Sequence, residues 1–243
     1  ETVDRIAKID EDKRRKLLEA KILGLLFFEP STRTRISFEA AMAALGGSYI
    51  GFHEPHSSSA EKGENLADTV KTMECYADLL VLRHTNEGAA KFASEVASKP
   101  VINAGSGTEE HPTQAMLDLY TILKEKGAID GLSIAVVGDL KYGRTVYSLL
   151  YALSQYSPKL HLVSPPQLRI RKEALYTVNS KIKTSEHENL ADILESLDVL
   201  YVTRIQKERF PDLQEYEKVR GSYLVNNELL RKAKDDLIVL HPL

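Results

Sequence analysis

The segment Ile22-Leu-Gly-Leu-Leu-Phe-Phe-Glu-Pro-Ser-Thr-Arg-Thr-Arg-Ile-Ser-Phe-Glu-Ala-Ala-Met-Ala-Ala-Leu45 changes its periodicity once. Its first seven residues are apolar without alternation, apart from Gly24, as in a strand covered on both faces. From Arg33 onward the pattern is helical, and Gly46-Gly47 stops the helix by allowing a left-handed residue. A buried strand running straight into a helix is the building unit of an open parallel sheet.

The same alternation continues along the chain. Strands are expected at Ser48 to Phe52, at Leu79 to Leu82 and from Val101 to Asn103. Helices are expected from about Glu64 to Cys75, from Glu87 to Ala97 and from Pro112 to Lys126, the last with proline in the first turn, where its missing N–H is no loss. Gly127-Ala-Ile-Asp-Gly131 reads as a domain boundary. Beyond it come strands Ser133 to Val137, Lys159 to Val163, Val199 to Thr203 and Ile238 to Leu240, with helices Arg144 to Ser154 and near Arg171 to Asn179. The expectation is an α/β chain of two doubly wound domains, residues 1–129 and 130–243, each with a mainly parallel sheet flanked by helices and with a cleft between them. His56-Ser-Ser-Ser-Ala60 reads as a mobile loop.

Composition narrows the function. The chain has 243 residues, 43% of them hydrophobic and 28% charged. It has no apolar run near the roughly 20 residues of a membrane span, so no membrane role is expected. A net charge of -3 speaks against nucleic acid, which calls for a basic excess; any anion site must be local. Cys75 is the single cysteine, expected in the core and unable to form an internal disulfide. With no signal peptide and no Cys/His ligand spacing, a cytoplasmic protein without structural zinc or cofactor is expected. The chain opens on Glu1 and stops at His241-Pro-Leu243 just after an apolar run, so both ends read as truncated.

Three motifs carry chemistry. Glu29-Pro-Ser-Thr-Arg-Thr-Arg35 lies where a strand turns into a helix. Ser31 and Thr32 can cap that helix, its first-turn N–H groups favour an anion, and Arg33 with Thr34 adds donors on further sides of one phosphate. An ordinary capped helix needs one or two such groups, not five. His111-Pro-Thr-Gln114 could polarise a carbonyl and hold an amide NH2, although alone a capping histidine is its commoner explanation. Val137-Gly-Asp-Leu-Lys-Tyr-Gly-Arg144 lacks G-x-G-x-x-G and the P-loop pattern, which removes a nucleotide role and leaves Arg144 to bind a carboxylate. Arg33, Arg83, Arg144 and Arg204 all fall at strand ends, and together they suggest a cleft for several negative charges.

These motifs, with Arg204-Ile-Gln-Lys-Glu-Arg209, resemble in order and spacing those of the aspartate carbamoyltransferases. Ser-Thr-Arg-Thr-Arg is shared with ornithine carbamoyltransferases, while His-Pro-Thr-Gln and His-Pro-Leu select the aspartate branch. Gly105-Ser-Gly-Thr-Glu-Glu110 departs from the family's Gly-Asp-Gly pattern, and the family's C-terminal helices lie outside this chain. The resemblance implies carbamoyl phosphate and L-aspartate as substrates, a place in pyrimidine biosynthesis, no metal, and a homotrimer sharing active sites, with regulatory chains left open. It places Ser31, Thr32, Arg33, Thr34 and Arg83 on the phosphate, with Ser58 and Lys62 of a neighbouring subunit. Thr34, Arg83 and His111 would donate to the carbamoyl oxygen, making these three and Arg33 the catalytic set. Gln114, Pro242 and Leu243 would hold the carbamoyl NH2, and Lys62, Arg144, Arg204, Gln206 and Leu243 the aspartate. Glu29 would pair with Arg144 and Arg209. Another amine such as ornithine would need an acidic partner where Arg204 and Gln206 stand. A catalytically dead relative would not need Ser31 to Arg35, His111 and Arg204 intact.

Overall fold

In the computed structural model, residues 2–53, 63–108, 110–205, 213–221 and 223–242 are described. In chain order the elements are α1 (Thr2–Ala7), α2 (Glu11–Arg14), β1 (Ile22–Phe27), α3 (Thr32–Ala44), β2 (Ser48–Phe52), α4 (Leu66–Glu74), β3 (Leu79–His84), α5 (Ala89–Val96) and β4 (Val101–Ser106). They continue with α6 (Pro112–Lys126), β5 (Ser133–Val137), α7 (Arg144–Leu153), β6 (Lys159–Val163), α8 (Lys172–Asn179), β7 (Thr184–His187), β8 (Val199–Val202), α9 (Leu213–Val219), α10 (Asn227–Leu230) and β9 (Ile238–Leu240). The chain divides into two compact units, residues 1–107 and 108–243.

The first unit holds a four-stranded sheet in the order β2-β1-β3-β4, every pair parallel. Alternate residues of β1 serve opposite faces. Leu23, Leu25 and Phe27 pack with Met42 of α3, while Leu26 joins Leu80, Leu82, Val70 and Ala90 beneath α4 and α5. Full burial of one such side chain contributes roughly 1.5–3 kcal/mol, so β1 is a stabilising element of both layers. Gly46 follows α3 at φ +83°, and a Cβ there would lie 1.5 Å from the Arg15 carbonyl oxygen, so the helix stop needs glycine.

The second unit holds a five-stranded parallel sheet in the order β7-β6-β5-β8-β9. Ile134, Val136, Leu160, Leu162 and Tyr201 pack under α6, α7 and α8, and Ala135, Val137, Val163 and Leu200 face Leu190, Leu194 and Leu197 on the other side. The doubly wound α/β architecture expected from the sequence is the one observed. The compact packing units divide after residue 107. Helix α6 brings Ile122 into the second core, and Asp118 on it accepts a hydrogen bond from Tyr201 of β8.

Two further expectations change. Cys75 is exposed, its thiol facing the Lys71 carbonyl at the end of α4. The inward face of that helix is set by Leu66, Val70 and Met73, and Cys75 lies off that stripe. Strand β7, Thr-Ser-Glu-His, was not anticipated because it is a polar sheet edge without an apolar signal.

Candidate active site

Each sheet reverses its strand order beside its first strand, and in open α/β sheets ligands bind at the carboxyl ends there. In the first unit the reversal lies between β1 and β3, where Phe27 is in register with Arg83. Beyond β1 the chain turns at Glu29-Pro30 and enters α3 at Thr32. Ser31 occupies the cap position in an extended conformation (φ -159°, ψ 95°), yet its side chain makes no cap bond. The capping expected of Ser31 is therefore not made, and its hydroxyl does not satisfy the first-turn N–H groups. By contrast, α4 is capped by Asn65 and α10 by Asn226. Residues Thr32 and Arg33 are exposed and Ser31 and Thr34 partly so. Arg35 is held by Glu39 at 3.2 Å.

Arg83 is buried, with Nη1 donating to the Ala104 carbonyl at 3.1 Å and Nη2 to Glu29 Oε1 at 3.3 Å. A buried guanidinium needs such partners, and they aim it along the end of β3, which runs two residues further than expected, to His84. The ion pair of Glu29 within its own unit is thus with Arg83. His84 accepts the Asn86 N–H on Nδ1, and burial holds its imidazole below the usual range, with Glu29 opposing. Ser58 and Lys62, expected at this phosphate site, lie outside the described residues.

In the second unit the reversal lies between β5 and β8. Gly138 leaves β5 at φ +118°, and a Cβ there would lie 2.4 Å from the Thr203 carbonyl oxygen, so only glycine lets the two strand ends come together. The Thr203 hydroxyl accepts the Asp139 N–H at 3.0 Å and donates to the Val137 carbonyl at 3.0 Å. Asp139 is fully buried, and its Oδ1 accepts the N–H groups of Lys141 and Tyr142, shaping the loop that delivers Arg144 to the start of α7. Arg144 is buried and Arg204, just past β8, is exposed. A cavity of about 240 Å³ lies here, lined by Thr203, Arg204, Tyr216, Arg220 and His241 among others. Strand β9, in register with β8, carries His241 and Pro242 to the same end of the sheet. Gln206, Arg209 and Leu243 lie outside the described residues.

The same unit carries His111 and Gln114 at the start of α6. His111 is buried at the cap position without a side-chain cap bond, so the alternative of a capping histidine does not hold. Its backbone N–H donates to the Ser148 hydroxyl at 2.8 Å, and Nδ1 lies 3.5 Å from the Thr113 hydroxyl. The Gln114 amide nitrogen donates to Asp118 at 2.9 Å. Asp118, Asp139, Ser148 and Thr203 escaped the sequence reading as site residues. Asp139 and Asp118 left a trace, as an aspartate two residues before a turn and as a Gln/Asp pair one helical turn apart; Ser148 and Thr203 left none. Among the described residues no group of three or more His, Cys, Asp or Glu could hold a metal ion.

The motifs and geometry have counterparts in known proteins. Residues 1–124 match the family model of the aspartate/ornithine carbamoyltransferase carbamoyl-P binding domain, and residues 130–243 that of the Asp/Orn binding domain. The aspartate carbamoyltransferase catalytic subunit of Cenarchaeum symbiosum is 58% identical over 99% of this chain and 78% of its own length. The crystal structure of the catalytic subunit of M. jannaschii aspartate transcarbamoylase superposes with a TM-score of 0.87 at 52% identity, over 99% of this chain and 79% of that one. The Trypanosoma cruzi aspartate transcarbamoylase in complex with carbamoyl aspartate and phosphate gives a TM-score of 0.91 at 41% identity, over 99% and 78% of the two chains. With both halves matched and these identities holding along its length, the chain belongs to the aspartate/ornithine carbamoyltransferase family, among its aspartate carbamoyltransferases.

Proposed function

We infer that the chain transfers the carbamoyl group of carbamoyl phosphate to the amino group of L-aspartate, giving N-carbamoyl-L-aspartate and phosphate for pyrimidine biosynthesis. The observation that carries this is the placement of arginines at strand ends where each sheet reverses: Arg33 and Arg83 in one unit, Arg144 and Arg204 in the other. Carbamoyl phosphate and aspartate are both multiply charged anions, and the chain as a whole is acidic, so the cations must be gathered locally.

In this reading Ser31, Thr32, Arg33, Thr34 and Arg83 hold the phosphate, helped by the first-turn N–H groups of α3. Thr34, Arg83 and His111 donate to the carbamoyl oxygen. The Thr113 hydroxyl lies 3.5 Å from Nδ1, and His111 offers a ring N–H to that oxygen. Gln114 and the carbonyls of Pro242 and Leu243 accept from the carbamoyl NH2, while Arg144, Arg204 and Gln206 take the aspartate carboxylates. The unprotonated amine attacks the carbamoyl carbon, the tetrahedral oxyanion collapses, the bond to the bridging oxygen breaks, and phosphate leaves with its charge on the arginines, taking up the proton that the amine nitrogen loses. No covalent enzyme intermediate forms. Orientation supplies about 7 to 11 kcal/mol of the barrier reduction, and preplaced donors much of the rest. Phosphate release from carbamoyl phosphate tests the reading directly: release is expected with aspartate and only background with ornithine, and the reverse preference would refute it.

The active sites are shared within a homotrimer, Ser58 and Lys62 being supplied by a neighbour. The exposed side chains Ile36, Tyr49 and Ile50 around edge strand β2 support association through that part of the first unit. Chains carrying Lys62→Ala and chains carrying Arg33→Ala are each expected to be inactive alone. Reassembled together, they should regain activity, because some sites then combine an intact Lys62 with an intact Arg33. Mixed trimers as inactive as either parent would place the whole site in one chain.

A further inference from the structure

We propose that Asp118 is a positioning residue that fixes which end of the Gln114 amide faces carbamoyl phosphate. The inference rests on the role given above to Gln114 and goes one step behind it. Gln114 and Asp118 are one helical turn apart on α6, so their side chains lie on one face. Asp118 is buried; its Oδ1 lies 2.9 Å from Gln114 Nε2, and its Oδ2 lies 2.8 Å from the hydroxyl of Tyr201, fully buried on β8. An ionised carboxylate can only accept, so both neighbours must donate to it. Burial raises the Asp118 carboxyl, while the Gln114 and Tyr201 hydrogen bonds act against that rise. Burial, reinforced by the Asp118 charge, raises Tyr201 as well, so its hydroxyl stays a donor. The nitrogen end of the Gln114 amide is therefore committed to Asp118, and Oε1 is the end turned away from it.

That choice matters for chemistry. Acetyl phosphate differs from carbamoyl phosphate in carrying a methyl group where the substrate has NH2. Only an acceptor rewards the NH2; an amide turned the other way would set donor against donor. Asp118 thus biases the site toward an acyl phosphate bearing an N–H, although it acts only through Gln114. Nothing else on this face of α6 supplies an acceptor for Gln114 among its described hydrogen bonds.

The test compares the intact enzyme with its Asp118→Asn, Tyr201→Phe and Gln114→Ala variants, using carbamoyl phosphate and acetyl phosphate as donors and phosphate release as readout. Where acetyl transfer is too slow, its inhibition constant against carbamoyl phosphate stands in. Asparagine keeps the shape of Asp118 but can turn a donor toward Gln114, so the Gln114 amide is no longer committed and the preference for carbamoyl over acetyl phosphate should fall about 10-fold to 100-fold. Acetyl phosphate should itself be little affected. Tyr201→Phe leaves the contact of Asp118 with Gln114 and should keep the preference. A loss shared equally by both donors in Asp118→Asn would mark a merely structural role and overturn the proposal. If Gln114→Ala keeps the parental preference, the assignment of Gln114 to the NH2 has failed, and the proposal with it. If Gln114→Ala loses the preference while Asp118→Asn keeps it, only the positioning is wrong. Should Asp118→Asn not fold, the side-chain NH2 resonance of Gln114 in the parent, identified by its loss in Gln114→Ala, decides. It should hold its position when carbamoyl phosphate is added, and a large shift would show that the nitrogen end faces the ligand.

Discussion

Arg33→Ala is expected to lower turnover about 100-fold to 1000-fold, the usual cost of removing one preplaced donor to developing charge. Aspartate saturation should barely change. Arg33 sits in the first turn of α3, exposed, and among the described residues it has no ion-pair partner, so its removal leaves no buried group stranded. This separates it from Arg83, whose guanidinium also ties Ala104 to Glu29, and whose loss would confound catalysis with stability. Steady-state kinetics with both substrates, accompanied by a thermal melt, make the measurement. A variant whose turnover stays within about threefold of the parent would remove Arg33 from catalysis, given the size of the expected effect.

Arg204→Ala should act on the other substrate. The guanidinium stands exposed just past β8, at the rim of the cavity that Thr203, Tyr216, Arg220 and His241 help to line. Once a carboxylate closes onto it the pair is desolvated, and truncating one partner then costs about 2 to 5 kcal/mol. The aspartate requirement should rise about 30-fold to several thousand-fold, with carbamoyl phosphate binding nearly unchanged. Equilibrium titration of each ligand is the decisive measurement, and equal weakening of both would show that Arg204 is not an aspartate residue.

The central strands and their arginines could be read from the chain more fully than the groups that support them. Strand β5 was placed to the residue because Ser-Ile-Ala-Val-Val is an apolar run bracketed by Gly131 and Gly138, and a central parallel strand leaves no polar alternation to mislead. Arg33, Arg144 and Arg204 were visible for the same reason, since each follows a strand whose end was visible, whereas Arg83 lies inside β3, which runs past its expected end. Strand order was not legible, because it is set by packing between segments far apart in sequence. The polar edge β7 and the supporting hydrogen bonds were hidden likewise: Tyr201 reaches Asp118 across 83 positions and Ser148 meets His111 across 37. Cys75 shows the opposite failure, where a general tendency of cysteine was preferred over the apolar stripe of α4, which already put that position outside.

The joint made by Gly138, Asp139 and Thr203 has a consequence for the entropy of ligand capture. It fastens the ends of β5 and β8 to each other through the Thr203 hydroxyl and the backbone of Val137 and Asp139, so the strand ends that lead to Arg144 and Arg204 are tied together before the dicarboxylate of the proposed reaction arrives. Arg144 is in addition packed, and Arg204 alone of the two is exposed. Immobilising a rotamer-rich side chain costs about 0.5–1.5 kcal/mol, and on the proposed assignment the packing of Arg144 imposes that loss of freedom before the ligand binds.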